Sequence, residues 1–220
     1  MNPVLKRTLT GLAVGAVVIA AILLAPPCAI APIVACLAVL AVCEFLALAR
    51  RNWPRPCAWQ ALLMLVGAVV IACGLWTLSE IALRHGNVML LYIVAIVKFS
   101  DVGGFAVGTA TSKMMKGGNH KMCPTVSPGK SWEGLLGSFA FSCAVSCAFI
   151  PATHFPVWKA LAFGAAAAVL GTAGDLVESK FKRWVGVKDS STMKCTNGLG
   201  GFLDMFDSLV FAPAALLWAI

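Results

Sequence analysis

The chain has 220 residues, 60% of them hydrophobic and only 12% charged, with a mean hydropathy of +0.89. A soluble domain is nearer half apolar and a quarter charged, so this composition excludes a water-soluble globular protein and points to an integral membrane protein. The net charge is +8, but no Lys/Arg run of the nucleic-acid-binding kind is present, and in a membrane protein a basic balance reports topology and anionic headgroups.

Apolar windows of spanning length fall near 8–25, 29–49, 58–78, 88–110, 132–150, 158–177 and 202–220. The expected fold is therefore all-α: a polytopic transmembrane helical bundle of about seven spans. The first window follows Lys6 and Arg7 and ends at Ala25-Pro26-Pro27, the outline of a signal peptide. At about 18 residues it is long for a signal core, and more spans follow, so it is read as a retained span. Trp, at seven copies against one Tyr, takes most of the interfacial anchor role.

The connectors sort by charge. One alternating set holds Lys6 and Arg7, then Arg50, Arg51 and Arg55, then Lys113, Lys116, Lys121 and Lys130, then Lys180, Lys182, Arg183, Lys188 and Lys194. The other set holds only Arg84 and Lys159. The positive-inside rule puts the N-terminus in the cytoplasm and the C-terminus outside. Residues 1–95 then form N-terminal transmembrane helices. Residues 96–220 form a C-terminal catalytic region whose loops near 111–131 and 179–201 open onto one face of the bilayer.

Nine Cys are present, an odd number, with no Cys-x-x-Cys pair. Cys28, Cys36, Cys43, Cys73, Cys143 and Cys147 lie in or beside apolar segments and read as small buried hydrophobes, with no disulfide framework and no zinc site. His85, His120 and His154 fall in separate loops without ligand spacing and are expected to be solvated.

Asp101 lies inside the fourth window, after Lys98, Phe99 and Ser100 and before Gly103 and Gly104. A carboxylate at that depth needs a partner or a water-filled cavity. Lys98 at i−3 is one such partner, and a substrate site is the other reading. The next loop reads Ser127-Pro128-Gly129-Lys130-Ser131-Trp132-Glu133-Gly134. Gly129-Lys130-Ser131 is not a P-loop, because the motif's first Gly is absent and no strand is expected before it. Ser127, Lys130 and Ser131 stand as phosphate contacts. Glu133 reads equally as a cap for the fifth helix, where acids are favoured.

Five of the nine acids fall between Gly174 and Ser208. Each Asp, Lys or Arg at a span centre costs about 2.5–3.5 kcal/mol, so such a cluster needs a use. Asp175 and Ser179, at i and i+4, share a helix face with Glu178 beside them. Asp204 and Asp207 begin the seventh span at helical spacing, with Ser208 one step on. Hard oxygen ligands of this kind suit Mg²⁺; the alternative is helix-terminal acids paired with nearby Lys. Lys180, Lys182, Arg183, Lys188 and Lys194 serve topology. Interleaved with Asp189 and the turn Gly198-Leu199-Gly200-Gly201, they also suit a phosphate, which glycine lets backbone N–H groups approach.

These residues resemble the phosphatidate cytidylyltransferase (CDP-diacylglycerol synthase) family over roughly residues 95–215. The family's C-terminal signature is matched by Ser179, Lys182-Arg183, Lys188-Asp189, Gly200-Gly201 and Asp204-Met205-Phe206-Asp207-Ser208. Upstream, Gly174 to Ser179, Ser127 to Gly134 and Asp101 match further family motifs. Two positions depart: Leu199 stands where the family has His, and Met205 where it has Arg. Any phosphate contact the family makes there falls to Lys188 and Lys194 or is lost. The chain is also short for the family, with an abbreviated N-terminal half.

The resemblance implies an enzyme that condenses CTP with phosphatidate in the bilayer, releasing pyrophosphate and forming CDP-diacylglycerol with Mg²⁺. It assigns Asp175, Ser179, Asp204 and Asp207 to the metal and adds Lys182 to the catalytic set. Ser127, Lys130, Arg183, Lys188, Asp189, Gly200 and Gly201 are assigned to nucleotide and phosphate binding. It leaves room for a second cation such as K⁺ and for a homodimer, and places the protein in a bacterial inner membrane with its active site facing the cytoplasm. Nucleic acid is not an expected partner. Two other readings stay open. A CDP-archaeol synthase or polyprenol kinase would be told apart by product, since a kinase releases CDP. A cation transporter would carry its acids near the membrane midplane.

Overall fold

The computed structural model describes residues 15–115, 117–187 and 202–217. Each of the seven predicted windows holds a helix. These are α1 (Gly15–Leu24), α2 (Pro27–Asn52), α3 (Ala58–His85), α4 (Asn87–Met114), α5 (Trp132–Ala148), α7 (Val157–Trp184) and α8 (Phe202–Leu217), with a single turn, α6 (Ile150–Thr153), between α5 and α7. Among the described residues, four helices are long and apolar enough to cross a membrane: α2 (from Cys28), α3, α4 and α7. The chain is a helical membrane protein.

Local chemistry sets the breaks. Pro27 and Pro156 open α2 and α7, at positions where a missing N–H or a fixed φ costs nothing. Gly86 alone separates α3 from α4, with φ at 84°, a backbone conformation that L side chains rarely adopt. Four exposed tryptophans lie at helix ends, Trp59 on α3, Trp132 on α5, Trp158 and Trp184 on α7, while Trp76 is exposed within α3. Trp158 and Trp184 are about 39 Å apart along the axis, close to the full bilayer with its interfaces, as expected of an aromatic belt.

The chain forms two compact units. The first takes residues 15–91 and 202–205 of the described chain. In it α2 packs along α3, the ring of Phe45 filling the space where Gly67 has no side chain. Glu44 is fully buried, and its Oε2 accepts the Leu203 N–H at 2.9 Å.

The second unit takes residues 92–187 and 206–217 of the described chain. Here α5 meets both α4 and α7 through glycines and serines. A Cβ on Gly103 would lie 2.5 Å from the Gly137 carbonyl, and one on Gly104 would lie 2.5 Å from the Ser138 Oγ. Ser138, Ser142 and Ser146, one turn apart on α5, donate to the carbonyls of Ser100, Gly164 and Ala160 at 2.9, 2.8 and 2.6 Å. In lipid no hydrophobic force pulls helices together, so close backbones and hydroxyl bonds of this kind hold them.

Three expectations are corrected. The described cysteines are free thiols that are exposed or half-buried, not buried. A spanning helix turns apolar side chains outward to lipid as readily as inward. A strand does carry Gly129-Lys130-Ser131: β1 (Lys121–Cys123) and β2 (Ser127–Ser131) form an antiparallel hairpin between α4 and α5. Finally, Glu133 does not cap α5. Ser131 does, its Oγ accepting the Gly134 N–H at 3.1 Å.

Candidate active site

The hairpin is clasped to the helices on either side of it. Glu133 Oε1 accepts the His120 backbone N–H at 3.1 Å and lies 2.6 Å from His120 Nδ1. His120 is thus exposed but partnered, where solvation alone was expected. Asn119 Nδ2 donates to the Gly108 carbonyl at 2.6 Å and to Ser131 Oγ at 3.1 Å. These bonds carry β2 toward α7, where Lys130 forms an ion pair with Asp175. Arg183, near the end of α7, donates from Nε to the Val126 carbonyl at 3.4 Å. The hairpin and the end of α7 therefore meet.

A second approach brings α7 against α8. Gly174 stands so close to α8 that a Cβ there would lie 2.6 Å from the Asp207 carbonyl oxygen. Asp175 and Asp207 are thereby neighbours. One carboxylate oxygen from each of Asp175, Glu178 and Asp207 lies within 4.8 Å of the others. Lys182 Nζ sits 3.2 Å from Glu178 Oε2. The Ser208 hydroxyl lies 2.9 Å from Asp207 Oδ1 and 2.8 Å from Asp101 Oδ2. Asp101 in turn is 3.6 Å from Lys98 Nζ. A cavity of about 210 Å³ opens beside this group, its polar lining being Asp101, Ser127, Lys130, Ser131, Ser138 and Thr172.

The donor set fits Mg²⁺. Neighbouring oxygens around that ion are about 3 Å apart and opposite ones about 4.2 Å, so three oxygens within 4.8 Å of one another are close enough for side-chain rotation to gather them on one ion. All three are hard carboxylates, and two lie on adjacent turns of one helix.

Of the residues singled out by sequence, Ser127, Lys130, Asp175 and Asp207 converge here. Lys182 joins through Glu178 and Arg183 through the hairpin. Ser179 is half-buried on α7, one turn beyond Asp175. Asp204 lies on α8, its side chain outside what is described, and Lys188, Asp189, Gly200 and Gly201 fall outside the described residues. Glu178 was left out of the expected ligand set, although its i+3 spacing from Asp175 was the available signal. Asn119 carried no signal at all.

The clasp predicts a measurable effect. His120→Ala removes one side of a solvent-screened pair, and such pairs contribute little to stability. The melting temperature should move by no more than about 2–4 °C. Loosening the strand that carries Lys130 should raise KM for a phosphate-bearing substrate several-fold. Unchanged KM values would show that the clasp does not position Lys130.

A model of the cytidylyltransferase family matches residues 54–220. A phosphatidate cytidylyltransferase of Staphylococcus aureus is 41% identical over 124 residues, 56% of this chain and 45% of that protein. The same-named protein of Haemophilus influenzae is 37% identical over 137 residues, 58% of this chain and 44% of its own. That of Mycobacterium bovis is 39% identical over 141 residues, 62% of this chain and 42% of its own. The matched stretch thus spans less than half the length of these curated relatives. Since the family match runs from within the α2–α3 connector through every residue of the carboxylate cluster and hairpin, the chain belongs to the cytidylyltransferase family.

Proposed function

We propose that this protein is a phosphatidate cytidylyltransferase that joins CTP to phosphatidate within the membrane. The observation that carries the reading is the meeting of Asp175, Glu178 and Asp207 with Lys130 and Lys182 beside a hydroxyl-lined cavity. The three curated relatives share the name of that activity.

The reaction suits such residues. A phosphatidate phosphate oxygen is already anionic at neutral pH, so it needs no strong general base. It attacks the α-phosphorus of CTP; a new P–O bond forms, the bond to the β-phosphate oxygen breaks, and pyrophosphate leaves. The obstacle is repulsion between two anions, so catalysis is positioning and charge neutralisation. Lys130 on β2 and Lys182 and Arg183 at the end of α7 supply positive charge toward the phosphates. Ser127 and Ser131 supply hydroxyl donors from the hairpin. Asp175, Glu178 and Asp207 would hold Mg²⁺, with Ser179 beside them on α7. When bound, Mg²⁺ supplies further neutralisation at the α-phosphate and the departing pyrophosphate. The excess of basic residues on alternate connectors supports a cytoplasmic face, where CTP is available, and the bacterial relatives support an inner membrane.

Purified protein with CTP, phosphatidate and Mg²⁺ should yield CDP-diacylglycerol and pyrophosphate in equal amounts, and chelation should stop it. Release of CDP would identify a lipid kinase, and no product at all would sink the reading. Single cysteines introduced at positions 113–130 and 180–187 should react with an impermeant thiol reagent from the cytoplasmic side only. Labelling of the two loops from opposite sides would exclude a shared site.

A further inference from the structure

Lys98 lies at the middle of α4, eleven residues from its start and sixteen from its end, so about 16 and 24 Å along the axis from the two ends. A lysine at such depth is costly in hydrocarbon and needs a partner or a use. Topology does not account for it, because the connectors already carry the positive-inside signal. Its Nζ is 3.6 Å from Asp101 Oδ2. That oxygen is 2.8 Å from the Ser208 hydroxyl, which is also 2.9 Å from Asp207 Oδ1. One hydroxyl proton is thus shared between two carboxylates, and a cation is needed beside them.

Each of three acids of this group has its own lysine: Asp175 has Lys130, Glu178 has Lys182 and Asp101 has Lys98. Lys130 stands on the hairpin and Lys182 two residues from the end of α7. An incoming phosphate can draw either of these away. The stem of Lys98 starts one turn from Asp101 at bilayer depth, and its ammonium cannot follow a nucleotide out to the surface.

We infer that Lys98 is a built-in monovalent cation of the active site: its ammonium beside Asp101 and Asp207 takes the place of a free second cation. This rests on the proposed cytidylyltransferase reaction. Lys98 acts here through Asp101 and Ser208 and is a positioning residue. A single Mg²⁺ then completes the site, and the protein is indifferent to K⁺.

The test compares KCl with choline chloride at equal ionic strength, with Mg²⁺ present throughout, on wild type, Lys98→Met and Lys98→Arg. Wild type should turn over and melt alike in both salts, within about twofold in rate. Lys98→Met should lose at least tenfold in rate in choline and recover most of it in KCl. Its melting temperature should rise in KCl but not in choline, as linkage to a bound ion requires. Lys98→Arg keeps the charge and should stay indifferent to K⁺. A K⁺ requirement in wild type overturns the inference. So does a folded Lys98→Met that matches wild type in both salts. If Lys98→Met folds in neither salt, Lys98→Arg decides: a K⁺ requirement there overturns it, and indifference supports it. The melting readout needs no turnover. K⁺-dependent melting of Lys98→Met in a protein inactive toward CTP and phosphatidate would overturn the proposed reaction and leave the role of Lys98 standing.

Discussion

Asp207→Asn is expected to lower CDP-diacylglycerol formation by at least about a hundredfold while leaving the melting temperature unchanged or slightly higher. The side chain keeps its shape and an oxygen that can still accept from Ser208. What it loses is a full negative charge within 4.8 Å of two others. If those charges hold Mg²⁺ against the triphosphate, the loss removes a ligand from the group that neutralises developing charge. Effects of that kind are worth several kcal/mol, and each 1.4 kcal/mol is about tenfold in rate.

Stability runs the other way. Three clustered carboxylates repel one another, and neutralising one relieves that repulsion. A purely structural network of ion pairs predicts the reverse, with lost stability and retained turnover in the surviving protein. Asp175→Asn separates the two further, because Asp175 also holds Lys130. It should lose turnover as Asp207→Asn does, and in addition release the hairpin lysine. Mn²⁺ titration followed by paramagnetic resonance reads the site without turnover, and both variants should bind the ion at least tenfold more weakly than wild type. Near-normal turnover and Mn²⁺ affinity in both would remove the carboxylate cluster from the mechanism.

The helices were legible in the sequence because lipid leaves the chain little choice. A backbone crossing hydrocarbon must satisfy its own hydrogen bonds, so long apolar runs become helices whatever their periodicity. The hairpin was not legible for the opposite reason. Its strands are three and five residues long, polar or glycine-bearing, with no alternation to read. They exist because Glu133 and Asn119 tie both flanks down. The same clasp explains why Glu133 misled: an acid in the first turn of a helix reads as a cap, but Ser131 already fills that role.

The candidate site was half legible. Asp175 and Asp207 announced themselves by charge in an apolar chain. Glu178 was visible by spacing, yet its place among the ligands depends on how near α8 comes. That distance is set by Gly174 and Gly171, against which Asp207 and Ser208 pack. Pairwise helix distances of this kind are not written in any one segment. Lys98 belongs to the same class: its i−3 spacing from Asp101 was readable, but its connection through Ser208 to Asp207 needed α4 and α8 together.

That dependence makes Gly174 the sharpest test of the architecture, since Gly174→Ala removes no functional group. The new Cβ would lie 2.6 Å from the Asp207 carbonyl oxygen and 3.1 Å from the Phe211 ring. A backbone carbonyl cannot rotate away as a side chain can. Ordinary C···O contact is about 3.3–3.6 Å, so α7 and α8 must part by roughly 0.7–1 Å. Overpacking of this kind costs about 1–3 kcal/mol, or roughly 3–10 °C in melting temperature at this chain length. Asp175 and Asp207 would move apart with the helices that carry them. A misplacement near 1 Å can cost about a hundredfold in rate, so turnover should fall far more than the stability loss accounts for. Mn²⁺ affinity should fall with it. Gly117→Ala, where no atom lies within 4 Å of the added carbon, should change none of these. A Gly174→Ala protein that melts lower yet keeps wild-type turnover and Mn²⁺ affinity would mean that the α7–α8 contact holds the fold but does not set the spacing of the carboxylates.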